Sequence, residues 1–416
     1  MDEYVKQLSK KAKVNSYLFY QLNTEIKNKA LLSMADALWE EKYFILSENK
    51  KDVDKAKAKG MKKSFIDRLS LDEKRISQMC LSLKEIANLK DPIGEVICGW
   101  RRPNGLFINK VRVPIGVILI IYEARPNVTS DCMGLCFKSS NISILRGGSD
   151  SINSNLAIFK VLKEAVRKSG INFDPFFLVE KTEHEVIEIL LKEKDNIDLV
   201  IPRGGEELIK KVTESSLIPV IKHYKGVCHI FVDEFARLNM AINICLNAKV
   251  QRPSVCNAVE TILVHKKVAG EFLPLLKQEF DKYNVRIRGD EKALQILEDI
   301  ELANESDWFN EYLDLIVSLR VVDSIDEAIA HINLYGSHHT DSIITENINN
   351  ATKFVNEVDS ACCFVNVSTR FSDGYEFGLG AEIGISTDKL HARGPMGLEE
   401  LTTYKYVVYG SGQIRS

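Results

Sequence analysis

The sequence predicts an α/β protein built on parallel sheets covered by helices and divided into more than one folding unit. Three observations carry that prediction. From residue 116 onward, short apolar runs at 116–122, 142–145, 176–179, 199–201 and 219–221 alternate with helical stretches; strands buried on both faces read this way. A second region, 229–365, repeats the rhythm, with a strand-like run at 261–264 and a helix opened by the capping pair Ser324 and Glu327. The length, 416 residues, sits more comfortably on two or three folding units than on one.

Composition narrows the class. Hydrophobic content of 45%, charged content of 27% and a net charge of -3 are ordinary for a globular enzyme, so neither nucleic acid nor membrane is an expected partner. Nine cysteines without a paired C-x-x-C set make neither a disulfide scaffold nor a zinc site, and His338 and His339 lack a third ligand at metal spacing, so no metal is expected. The N-terminal stretch lacks the apolar run of a signal peptide, and the longest apolar run, 117–122, is too short to span a bilayer. The expected location is the cytoplasm.

Taken in order, the first ninety residues are helical and amphipathic. Leu18, Leu22, Ile26, Ala30, Met34 and Leu38 recur at one-turn spacing. Ser70 and Glu73 match a capping box, opening a helix that buries Ile76, Met79, Cys80, Leu83 and Ile86. Residues 95–116 change period, with two β-like runs flanking Arg102-Pro103-Asn104-Gly105, a charged hairpin. The parallel-sheet region follows, with Cys132 and Cys136 four apart on one helix face.

Cys256 lies in a connection, after the helical stretch 238–249 and before an apolar strand, where functional side chains tend to be presented. A thiolate is a nucleophile for acyl transfer, and neighbouring Arg252 favours it electrostatically. Spacing alone also fits a small buried apolar cysteine.

The stretch AKVQRPSVCNAVETILVH (248–265) resembles the nucleophile loop of the gamma-glutamyl phosphate reductases, a branch of the aldehyde dehydrogenase superfamily. VPIGVILIIYEARPNVT (113–129), SSNISILRGGSDSINSN (139–155), VIPRGGEELI (200–209), CHIFVD (228–233) and residues 364–405 match in the same order. The resemblance implies an aldehyde dehydrogenase-like fold. Residues 1–94 and 116–223 would form a Rossmann-type NADPH-binding domain and 224–384 an α/β catalytic domain. Residues 95–115 and 385–416 would be an oligomerisation hairpin and strand.

Carried over residue by residue, the resemblance makes Cys256 the nucleophile and Asn127 the oxyanion-hole partner of the Cys256 amide; without it, Asn127 reads as an ordinary helix cap. For the cofactor it implies the loop Arg146, Gly147, Gly148 and Ser149. Arg146 matches a cationic position, and Ser149 stands where NAD-preferring relatives carry an acid, so NADPH is expected. Gly204 and Gly205 match a dinucleotide-side turn, and Glu311 falls where the superfamily sets a glutamate against the nicotinamide ribose. By themselves these are common glycine turns and a surface glutamate. Ser368, Thr369 and Arg370 match a substrate-anchoring loop. Arg125 and Arg252 are phosphate candidates or structural arginines. Residues 221–226 lack the water-activating glutamate of hydrolytic relatives, which suits a reductase; Lys222 and His223 depart from the glycine-rich sequence expected of the reductases themselves.

The implied reaction is NADPH-dependent reduction of L-glutamate 5-phosphate to L-glutamate 5-semialdehyde and phosphate through a Cys256 thioester, the second step of proline biosynthesis. A separate glutamate 5-kinase is the expected supplier, and a homo-oligomer, dimer or dimer of dimers, the expected assembly. The rivals are an aldehyde-oxidising dehydrogenase of the same superfamily and a non-catalytic assembly protein that keeps the fold.

Overall fold

A computed structural model describes residues 1–222 and 225–415; of Tyr20, Gln21 and Ser64 only the backbone is described. The chain divides into two compact units, Met1–Lys222 with Gly378–Gly384 and Met396–Ser416, and His223–Phe377 with Ile385–Pro395. The sequence division differs at the C-terminal end. Residues 385–395, expected in the oligomerisation element, belong to the second unit, and 378–384, expected in the catalytic domain, to the first.

The first unit opens with helices α1 (Asp2–Ser16), α2 (Thr24–Glu40), α3 (Lys42–Ala58), α4 (Lys63–Leu69) and α5 (Glu73–Asn88). The early stripe is helical only from Thr24. Leu18 lies in a 3₁₀ turn and Leu22 at its extended end, and Asn23 caps α2 by accepting from the Ile26 amide. The capping box at Ser70 and Glu73 does not form, because Asp72, two residues nearer, caps α5 by accepting from the Arg75 amide at 2.7 Å. The Ser70 hydroxyl instead donates back to the Ile66 carbonyl and closes α4.

The charged hairpin forms as β1 (Val96–Arg101) and β2 (Phe107–Pro114), paired antiparallel. At its turn Gly105 takes φ +90°, which a side chain would resist, and its amide donates to the Arg102 carbonyl. The chain then lays down β3 (Val117–Tyr122), α6 (Asn127–Lys138), β4 (Ile142–Arg146), α7 (Ile152–Lys168), β5 (Phe176–Leu178), α8 (His184–Leu190), β6 (Leu199–Arg203) and α9 (Glu206–Ser215). The strands form a parallel sheet in the order β5-β4-β3-β6. Every residue of β3 is buried, as a central strand with both faces covered requires. The run at 219–221 contributes only one parallel bridge, Val220 to Val200.

The second unit runs β7 (Cys228–Val232), α10 (Leu238–Val250), β8 (Val259–His265), α11 (Lys266–Asp281), β9 (Arg286–Gly289), α12 (Glu291–Leu294), β10 (Glu301–Leu302), α13 (Glu305–Trp308), β11 (Ile316–Val322), α14 (Ile325–Tyr335), β12 (Thr340–Ile344), α15 (Ile348–Glu357) and β13 (Cys362–Val365). Its parallel sheet has the order β10-β9-β11-β8-β7-β12-β13. Ser324 caps α14 as expected, accepting from the Glu327 amide. A short antiparallel pair, β14 (Ile385–Ser386) and β15 (Gly394–Pro395), completes this unit.

The chain ends in the first unit with β16 (Thr402–Tyr409), which pairs antiparallel with β2 from Thr402↔Pro114 to Tyr409↔Phe107. One edge of the C-terminal strand is thus paired within the chain, and β1 and β16 are the outer strands of the order β1-β2-β16.

Candidate active site

In the second unit Cys256 stands in the turn between α10 and β8, half-buried, with Arg252 exposed before it and Asn257 buried after it. The other cysteine here is not a rival nucleophile. Burial pushes the Cys228 thiol far up, and it donates to the Cys256 carbonyl at 3.1 Å. Gly226 packs against the same peptide so closely that an added Cβ would stand 2.0 Å from the Cys256 carbonyl oxygen and 2.5 Å from its Cα. The carbonyl and Cα of Cys256 are thus fixed from below.

The turn is also tied to the predicted substrate loop. Asn257 Nδ2 donates to the Ser372 carbonyl at 2.8 Å and the Arg370 carbonyl at 3.4 Å, and Arg370 Nε donates to Gln251 Oε1 at 2.8 Å. Ser368 is buried and accepts from the Arg370 amide, while Thr369 is fully buried with its hydroxyl unpartnered. Burial lowers the Arg370 pKa, and the positive charge of Arg252 lowers it further; the Cys256 thiol is among the groups that pull it back. Cys256, Arg252, Ser368, Thr369 and Arg370, spread over more than a hundred residues of sequence, are gathered in one place.

Glu311 belongs to this unit as well. Its Oε1 accepts from the Gly226 amide at 2.9 Å. His223, in the departure at Lys222 and His223, lies outside the described residues.

The first unit gathers the remaining predicted residues at the carboxyl edge of its sheet. The register Ile121↔Arg146 and Tyr122↔Arg203 brings together the ends of β3, β4 and β6, where strand order reverses and α/β sheets bind their ligands. Arg125 and Asn127 are exposed after β3, Gly147, Gly148 and Ser149 follow β4, and Gly204 and Gly205 follow β6. A buried chain of hydroxyl and amide bonds holds this edge. The Tyr122 hydroxyl meets Thr129 Oγ1 at 2.7 Å, Thr129 donates to Asn155 Oδ1, and Asn155 donates to Ser151. Asn127 opens α6 and donates from Nδ2 to Asp131 Oδ2 at 3.1 Å, so it is not a cap. Burial pushes the Asp131 carboxyl up to about 6, against the bonds from Asn127 and Ser82 and the charge of Arg203.

Arg146 differs from the expected exposed cation. It is 6% exposed, and its guanidinium donates to the carbonyls of Thr182, at 2.7 Å, and Gly147, at 3.1 Å. The cation next to the loop is Lys59, whose ammonium pairs with Asp150 at 2.7 Å. Sequence reading passed over this pair because Lys59 lies ninety-one residues from Asp150; the signal available was Asp150 itself, directly after Ser149.

The two helix N-termini at this edge differ. The anion position of α7 is filled by buried Asp52, whose Oδ2 accepts from the Ser154 amide and hydroxyl. At α9 the Gly205 amide donates to exposed Glu123 at 3.1 Å, and a Cβ added at Gly204 would stand 2.7 Å from the Glu123 and Leu208 side chains, which would have to shift.

The comparisons with known proteins agree with this architecture. The family model described as the aldehyde dehydrogenase family matches residues 26–296. A gamma-glutamyl phosphate reductase of Caldanaerobacter subterraneus subsp. tengcongensis is 57% identical over 407 residues, covering 98% of each chain. The crystal structure of gamma-glutamyl phosphate reductase from Thermotoga maritima superposes with a TM-score of 0.97 at 48% identity, covering 99% of this chain and 100% of that one. An engineered glycolyl-CoA reductase with bound NADP⁺ shares the fold, with a TM-score of 0.69 at 13% identity over 97% of this chain and 96% of that one. On its own residues and on these likenesses, the chain belongs to the gamma-glutamyl phosphate reductases of the aldehyde dehydrogenase family.

Proposed function

We propose that the protein is an NADPH-dependent oxidoreductase that converts L-glutamate 5-phosphate to L-glutamate 5-semialdehyde and phosphate through a thioester on Cys256. The observation that carries this reading is that the turn holding the half-buried Cys256 is tied to the 368–372 loop, through Asn257 to the Ser372 and Arg370 carbonyls and through Arg370 to Gln251. The thiolate attacks the γ-carbonyl, the carbon–sulfur bond forms, and the bond to the phosphate oxygen breaks. Phosphate leaves with its electron pair, stabilised by the guanidiniums.

The Cys256 amide is one oxyanion donor, and Asn127 keeps the donor role that the family resemblance gives it. Ser368, Thr369 and Arg370 hold the amino-acid end of the substrate, with Arg125 a further anion contact. The residues at the carboxyl edge of the first unit's sheet, Gly147 to Ser149 and Gly204 to Gly205, hold the cofactor. Lys59 joins them as the exposed cation beside a 2′-phosphate, and Arg146 shapes the loop. When bound, NADPH supplies the hydride that takes the thioester to the aldehyde. Described residues 221, 222, 225 and 226 include no carboxylate to activate water against that thioester.

An acyl phosphate hydrolyses readily, so a kinase acting on the γ-carboxylate of glutamate must supply it, which puts this step second in proline biosynthesis. Among the described residues no helix is long and apolar enough to cross a membrane, in keeping with a cytoplasmic enzyme. The exposed apolar residues of the β1-β2-β16 sheet, Ile97, Trp100, Tyr406 and Val408 among them, suit a homo-oligomer interface.

The reverse reaction tests this reading. NADPH should form from glutamate semialdehyde, NADP⁺ and phosphate; formation at the same rate without phosphate or arsenate would refute the acyl-phosphate assignment.

A further inference from the structure

Beneath the nucleophile turn the second unit buries an ion pair that the reaction itself does not use. Lys249, in the last turn of α10, and Glu260, the second residue of β8, flank the turn that carries Cys256, and both side chains are 0% exposed at 2.7 Å. Burial pulls the Lys249 ammonium down and pushes the Glu260 carboxyl up to about 7. A pair held against such a cost is weak evidence for stability and calls for another use.

Its remaining bonds show where it acts. Lys249 Nζ donates to the Asp314 carbonyl at 3.2 Å, and Glu260 Oε1 accepts from the Leu313 amide at 3.3 Å. Leu313 has φ +53°, a left-handed conformation that a branched apolar side chain rarely adopts and that the surroundings must enforce. Two residues earlier, Glu311 accepts from the Gly226 amide at 2.9 Å, and Gly226 lies against the Cys256 peptide with no room for a Cβ. The path runs from the buried pair through a strained turn and Glu311 to the backbone of the nucleophile.

We propose that Lys249 and Glu260 are positioning residues that lock the 311–314 turn, so that Glu311 holds Gly226 under Cys256 and fixes the direction of the thiol. The inference rests on the reading of Cys256 as the nucleophile. Neither residue touches substrate.

The test uses the full-length enzyme. Lys249→Met/Glu260→Leu replaces the pair by apolar groups of similar size, which commonly leaves stability equal or higher. The expected result is a melting temperature at or above the parent's with kcat lowered about 10²-fold, KM nearly unchanged, and an altered rate of Cys256 alkylation by iodoacetamide, followed on its own peptide by mass spectrometry. Should the double variant fail to fold, Glu260→Gln carries the same expectation for kcat, KM and alkylation, at a melting temperature below the parent's because the Lys249 ammonium loses its counter-charge. Adding Leu313→Gly, which no longer needs the turn enforced, should then recover part of kcat. Parent values of both kcat and the alkylation rate in a folded variant would overturn the proposal. Retained turnover in Cys256→Ser would refute the nucleophile reading, while the alkylation rate of the pair variant against the parent, both with Cys256 intact, would still report whether the pair positions Cys256.

Discussion

Cys256 is half-buried and contributes little packing, so Cys256→Ala should abolish turnover while leaving the melting temperature within a few degrees of the parent's. Activity at the parent level in a stopped assay would end the thioester mechanism. Asn127→Ala should lower kcat by roughly two orders of magnitude with a smaller change in KM, the usual cost of one oxyanion donor. The partner of Asn127 adds a pH effect. Because burial raises the folded-state pKa of Asp131 to about 6, above the unfolded carboxylate value of about 4, its contribution to stability is fully present below pH ~4 and lost as pH rises through ~6. Asp131→Asn removes that titration. Urea unfolding at pH 4 and pH 7 should show the variant gaining on the parent by about 1–3 kcal/mol between the two; parallel curves would mean that the carboxyl is not desolvated. Cys256 was legible as a candidate because a nucleophile needs a particular atom in a loop. Asp131 and the Lys249–Glu260 pair were not, since an acid or base in a helix or strand reads as solvated until tertiary structure buries it.

Elements carry cofactor choice and assembly. The loop after β4 offers an exposed Ser149 beside the Lys59–Asp150 pair, while Arg146 is committed to carbonyls. Ser149→Glu should therefore turn the preference from NADPH toward NADH, and Lys59→Gln should shrink it. The kcat/KM ratios for the two cofactors check this, and unchanged ratios in both variants would move discrimination away from the loop. At the other end of the chain, β16 satisfies the edge of β2 over its whole length. Deleting residues 404–416 leaves β2 with an unpaired edge rich in β-formers, so the truncated protein should lose its native assembly mass or become insoluble. Sedimentation at the native mass would show that this sheet is not the interface. Sequence reading recognised the hairpin from Pro103-Asn104-Gly105, and the C-terminal strand through the family resemblance. It did not pair them, because nothing local encodes a register between residues almost three hundred apart.

Across the whole molecule, the sequence by itself determined the parallel α/β class, the strands from 117 to 203, and the family, through Cys256 and the motifs around it. These are signals of period and local chemistry, which survive without knowledge of what each segment meets. Tertiary structure decided the rest. It split the last forty residues between the two units, buried Arg146 that the sequence offered as a free cation, filled the α7 anion position with Asp52, and turned Glu311 to the amide of Gly226. The physical reason is the same each time. A charged side chain is worth little in water and much where water is excluded, and only the packing of distant segments determines which of the two environments it occupies.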